Sequence, residues 1–249
     1  MNCCSGVYLW MELAMPSFSS LFNEENLKTT TILLLTPVLL TTYKYYGTVS
    51  FYTHKLAPSL PLFWSAELDA ALFGFLSAFL LLGLVPCFIV KVCFREPLSA
   101  YGLQIGDWRL GGKALAVLGP VLVVAACASA TMPDFLLEYP LNRSACLSWQ
   151  YFLFHAFLYL LFYIGWEIYF RGFVQFGLRE KFGDWNAILV QTALSCLVHI
   201  GKPGGEIYGS ILGGIVWGVV VFRTRSLLAA IVSHWLLGVS LDACICFWR

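Results

Sequence analysis

Long apolar runs, broken by very few charges, are the feature of this 249-residue chain that most restricts its fold: residues 68–93 contain only Asp69 and Lys91 as ionisable acids or bases. Hydrophobic residues make up 59% of the chain and charged residues 12%, about half the charged share of an ordinary soluble domain. Such a chain needs lipid as its solvent. Backbone amides in the bilayer core must be paired within the protein, so spans are helices or strands of a closed barrel, and runs of this length select helices. The predicted fold is therefore all-α, a polytopic transmembrane helical bundle.

Seven apolar stretches are predicted at about 29–47, 68–93, 113–132, 149–178, 186–200, 206–222 and 226–246. Residues 1–28, with Glu24 and Glu25, form an amino-terminal interfacial segment, and residues 29–249 form a single transmembrane domain. No cleavable signal sequence is expected, so the first span would direct insertion. Counting alternate connections, one set holds Lys28, Lys91, Arg95, Arg109, Lys113, Arg179, Lys181, Arg223 and Arg225, and the other holds Lys44, Lys55, Arg143, Lys202 and Arg249. The richer set should be cytoplasmic, which puts the amino terminus in the cytoplasm and the carboxyl terminus outside. A net charge of +1 with scattered Lys and Arg excludes the electrostatic footprint of nucleic-acid binding. The nine cysteines show no CxxC pair and are expected to act as small apolar residues, with lipidation of Cys3 or Cys4 a lesser alternative. Gly205, Gly209 and Gly213, continued by Gly214 and Gly218, form a small-residue ridge suited to close helix packing.

The polar residues inside these runs carry the chemistry. Glu167 and Arg171 lie four residues apart on one face of the fourth span, where an unpaired charge would cost roughly 2.5–3.5 kcal/mol. His199 ends the fifth span and His234 lies in the seventh. At ~1.5 Å per residue, Glu167, His199 and His234 lie about 18, 20 and 12 Å from the shared cytoplasmic ends, so all three can meet near mid-bilayer. An acid and two imidazoles around a cavity suit amide hydrolysis, with the carboxylate taking a proton from water and the histidines holding a divalent metal such as zinc or polarising the carbonyl. The predicted metal set is His199, His234 and Glu167. Glu206 follows a Pro-Gly-Gly turn and either caps the sixth helix or folds back, as Lys202 can, toward the cavity. Asp242 is a candidate to orient His234, while His54 and His155 have no evident company and read as structural.

At these residues the chain resembles the CPBP family of intramembrane proteases, also called the ABI or CAAX prenyl-protease type 2 family, over about residues 95–245. Glu167 and Arg171 fall on the second Glu and the Arg of that family's EExxxR motif, His199 on the histidine of FxxxH, and His234 on that of HxxxN. Trp166 stands where the first Glu is expected, Ser195 replaces the Phe and Gly238 the Asn. The resemblance implies an intramembrane endopeptidase of bacterial type, in the bacterial cytoplasmic membrane, acting on a membrane-associated peptide or protein. With the usual general base missing, either Glu167 or Glu206 takes that role, or the bundle is an inactive membrane scaffold or immunity-type partner. A small transporter is the remaining class.

Overall fold

The computed structural model describes residues 17–248, so Cys3, Cys4 and Arg249 lie outside the described residues. Among the described residues the chain is helical and contains no strand. Eight helices organise it: α1 (Glu24–Tyr46), α2 (Ala66–Phe94), α3 (Trp108–Ser129), the short α4 (Pro133–Glu138), α5 (Trp149–Phe182), α6 (Asp184–Val198), α7 (Gly204–Thr224) and α8 (Leu228–Phe247). Their starts follow local chemistry. The side chains of Asn23, Ser65, Asp107 and Ser148 each accept a hydrogen bond from the backbone N–H three residues on, as amino-terminal caps do. Gly183, at φ +76°, separates α5 from α6, and Pro203 precedes α7.

Five helices, α2, α3, α5, α7 and α8, are long and apolar enough to cross a membrane; the seven spans expected from the sequence are not all of that kind. At 15 residues α6 is only about 22 Å long, shorter than the ~30 Å hydrocarbon core. Helix α1 has the length, at 23 residues, but carries Glu24, Glu25, Lys28 and Lys44. Of the segment predicted for residues 1–28, residues 1–16 lie outside the described residues, and Glu24 already opens α1.

Both of these helices nevertheless run between the same two ends of the bundle. At one end, Lys28 of α1 bonds Glu96 and Glu180 at 3.0 and 3.2 Å, and the backbone joins Leu227 to Gly102 at 3.0 Å and Asp107 to Thr224 at 2.8 Å. At the other end, Lys44 donates to the carbonyls of Val198 and Ile200 at 3.0 and 2.9 Å, Lys202 pairs with Glu138, and Trp149 stacks on Phe247 at 4.0 Å. The second end also carries two disulfides, Cys127–Cys244 and Cys146–Cys246. Four of the cysteines are therefore crosslinks, not the apolar fillers expected, because residue pairs more than 90 positions apart converge where α3, α8 and the α4–α5 connection meet.

Helix α5 is the central element. Every residue from Tyr163 to Leu178 except Ile164 is buried, and residues 168–176 take the wider π-type register, a deviation frequent at functional sites. Gly165 is the closest approach: a Cβ there would lie 2.6 Å from the Ala78 carbonyl oxygen and 2.8 Å from Phe79 Cα on α2. On α7 the packing stripe is Gly214 and Gly218, which meet Thr192, Ile188, Gln175 and Gln191. The Gly205 and Gly209 part of the predicted ridge is exposed, and Gly209 has nothing within 4 Å. Gln175 and Gln191 donate to the carbonyls of Gly218 and Gly214 at 2.9 and 2.8 Å, so polar side chains bind α5 and α6 to α7 through the space the glycines leave.

Replacing Gly165 with Val is expected to destabilise the bundle by about 1–3 kcal/mol through overpacking. Gly112→Ala, where a Cβ meets nothing within 4 Å, should melt like the parent. Thermal unfolding of the two variants in one detergent checks this, and equal melting would contradict the α2–α5 contact.

Candidate functional site

The centre of the site is a carboxylate with no access to solvent. Glu167 is 0% exposed and its Oε1 accepts two hydrogen bonds, from Arg171 Nη1 at 3.0 Å and from His234 Nδ1 at 2.7 Å. Arg171, one helical turn along α5, is 1% exposed, and its guanidinium lies 5.4 Å from the Trp217 ring. The His234 ring stacks on Trp217 at 4.2 Å and packs against the tilted ring of Tyr163 at 4.7 Å, while Trp217 Nε1 donates to Ser233 Oγ at 2.9 Å. The predicted approach of Glu167 to His234 is thus present, and it is a direct hydrogen bond.

His199 is placed by different groups. Its Nδ1 lies 2.7 Å from the Ser195 carbonyl one turn back, its ring meets the Trp166 indole edge-on at 5.3 Å, and its Nε2 is 3.7 Å from Glu206 Oε1. Glu206 does fold toward the interior, and its Oε2 accepts a 2.8 Å hydrogen bond from the Tyr139 hydroxyl. Burial first, and then the charge of Glu206, holds the Tyr139 phenol well above its ordinary value, so it remains a donor at neutral pH.

His199, His234 and Glu206 all line one cavity of about 550 Å³, together with Trp166, Tyr163, Tyr139 and Lys202. Glu167 does not line it. The acid and the two imidazoles therefore converge as two couples, Glu167 with His234 and Glu206 with His199, and only the second presents its carboxylate to the cavity. Sequence depth alone does not distinguish these arrangements, because it is blind to which way each side chain turns about its helix.

The hydrogen-bond partners settle the imidazole tautomers. A backbone carbonyl can only accept, so His199 carries its proton on Nδ1; the Glu167 carboxylate draws the proton of His234 to Nδ1 in the same way. In the neutral form each ring keeps a lone pair on Nε2. This resembles the way metal-binding histidines are oriented. The carboxylates do not complete such a site, however: among the described residues no three His, Cys, Asp or Glu stand close enough to hold a metal, and Glu167 Oε1 is occupied by Arg171 and His234. The set His199, His234 and Glu167 does not fit a zinc ion in this geometry.

Two further expectations change. Asp242 is bonded to His155, at 2.9 Å between Oδ2 and Nε2, and not to His234; both side chains are essentially unexposed. His155 thus has a carboxyl partner on a distant helix, outside its sequence neighbourhood, eighty-seven positions away. Gly238 is required by Tyr163: a Cβ there would overlap the Tyr163 hydroxyl, which takes the space an Asn side chain would need. Trp166, at the position of the missing first Glu, stacks on Phe162 at 5.4 Å, so an indole forms the cavity wall there.

Removing Arg171 leaves Glu167 as a buried charge with only an imidazole partner. Arg171→Leu is expected to cost about 3–5 kcal/mol, and the double variant Glu167→Gln/Arg171→Leu to recover most of it, since replacing both members of a buried pair is often close to neutral. Melting temperatures of the two proteins provide the measurement, and an unperturbed single variant would contradict the pairing.

Residues 147–240 match the family described as "Type II CAAX prenyl endopeptidase Rce1-like". Searches of curated proteins and of solved structures gave no match. The matched segment runs from the start of α5 into α8 and contains Glu167, Arg171, His199, Glu206 and His234. The structure and the match agree on a helical protein with five helices fit to cross a membrane, in which residues 147–240 are similar to the Rce1-like type II CAAX prenyl endopeptidase family.

Proposed function

We propose that this protein is an intramembrane endopeptidase in which Glu206 and His199 activate water at the cavity wall, with Glu167 acting from behind through His234. The observation that carries this reading is the division of the two couples: Glu206 and His199 line the cavity, while Glu167 is sealed off and committed to Arg171 and His234.

Glu206 Oε1 and His199 Nε2 are both acceptors and stand 3.7 Å apart, too far for a direct hydrogen bond. A water molecule between them donates one O–H to each and turns its own lone pairs toward the cavity. That is the orientation needed for attack on a peptide carbonyl. Glu206 takes the proton as the water adds, and returns it to the leaving amine as the C–N bond breaks. Tyr139 holds the other oxygen of Glu206, which fixes the carboxylate plane. His234 is the group that faces the developing oxyanion: when it takes a proton on Nε2 it donates to that oxygen, with Glu167 behind its Nδ1 and Arg171 behind Glu167. Trp217, stacked on it, and Tyr163, tilted against it, fix the His234 ring. The substrate class is a peptide or protein segment that reaches the membrane interior.

Glu206→Gln keeps an acceptor for Tyr139 and removes the base, so hydrolysis of a membrane-reconstituted peptide library should fall by about 10²–10⁴-fold. Glu167→Gln, which removes the carboxylate behind His234 Nδ1, should also reduce it. Wild-type turnover in Glu206→Gln would overturn the assignment of the base. Complete absence of turnover in the parent protein, folded and reconstituted, would overturn the peptidase reading.

A further inference from the structure

The cavity and both disulfides are at the same end of the bundle. The α3–α5 connection joins them: its Glu138 and Tyr139 line the cavity, and its Cys146 is bonded to Cys246 at the end of α8. The second bridge, Cys127–Cys244, closes α3 onto α8 beside it. Cα separations of 4.7 and 5.6 Å lie within the span that a disulfide bridges. The cavity is lined further by Lys44, Lys55 and Lys202, all of this end, and by nothing from the connections at the other.

Charge divides the molecule in the same direction. Among the described residues the opposite end gathers Lys28, Lys91, Arg95, Arg109, Lys113, Arg179, Lys181, Arg223 and Arg225, against Lys44, Lys55, Arg143 and Lys202 at the cavity end. Lys and Arg concentrate in cytoplasmic connections, because positively charged segments resist translocation. Disulfides persist on the oxidising side of a membrane and are rare in the reducing cytosol. These two arguments, one from charge and one from thiol chemistry, share no residue and select the same orientation.

We infer that the cavity opens on the non-cytoplasmic face, and that the polypeptide it receives is presented from that side, as an exported peptide or the extracytoplasmic segment of a membrane protein. The substrate class rests on the peptidase reading; the orientation does not. The bridges tie the α3–α5 connection to α8, so the cavity rim is anchored to the helix that carries His234.

The test is labelling of single added cysteines by a membrane-impermeant maleimide, in intact cells and after permeabilisation, with the parent protein as background. Lys55 is exposed at the cavity rim and Arg109 is exposed at the opposite end. Lys55→Cys is expected to label in intact cells and Arg109→Cys only after permeabilisation. In parallel, alkylation of the parent before and after reduction should reveal new thiols only after reduction, and fewer of them in Cys146→Ser. The reverse labelling pattern, or labelling of both positions from outside, overturns the inference, as does free alkylation of Cys146 and Cys246 without reductant. Since labelling needs no turnover, a protein that labels as expected and cleaves nothing would refute the peptidase reading alone.

Discussion

The buried ion pair between Glu167 and Arg171 is the constraint on which the rest of the molecule turns. Two ionised groups in the centre of a lipid-embedded helix are tolerable only when each has a partner, and here the partner of each is the other. Satisfying that pair requires a crowded interior around α5. Gly165 lets α2 approach the helix on one side, Gly214 and Gly218 let α6 and the α5 glutamine approach α7 on the other, and His234 of α8 closes the remaining position on Glu167. The packing therefore positions the charge pair, and the charge pair fixes the angle at which His234 is presented.

From this follows a layered site. Behind the cavity wall is a charged layer, Arg171 and Glu167, that water does not reach; in the wall are His234, His199, Trp166 and Glu206; beyond them is the cavity. The Glu167 carboxylate is thus separated from solvent while its imidazole partner, His234, lies on the cavity surface. The accessible carboxylate, Glu206, comes instead from the first turn of α7, where Pro203 and the glycines break the chain between α6 and α7. The two acids thus differ in their access to the cavity because one is enclosed by helices and the other projects from a helix start.

Much of this was legible in the sequence. Apolar runs located α2, α3, α5, α7 and α8 to within a few residues, since helices in lipid must be long and continuous. Glu167 and Arg171 were visible because four-residue spacing is local geometry. Less legible were features that depend on rotation about helix axes or on contacts between distant segments. The Asp242–His155 bond joins residues on α8 and α5, and nothing in the neighbourhood of either announces the other. The disulfides were missed for the same reason, as cysteines in apolar runs look like small fillers until the helix ends are brought together. Gly238 looked like a lost Asn, but the structure shows a glycine that Tyr163 requires. The fifth apolar stretch, 186–200, is already only 15 residues long, and α6 keeps that length, short of the hydrocarbon core.

His199 and His234 are both held by a hydrogen bond at Nδ1, which leaves Nε2 for chemistry. Nitrogen-15 NMR of histidine-labelled protein in lipid measures this directly, with His199→Gln and His234→Gln variants supplying the resonance assignments. The account predicts that both His199 and His234 carry a proton on Nδ1 at neutral pH. Signals showing either ring protonated on Nε2 alone would contradict it.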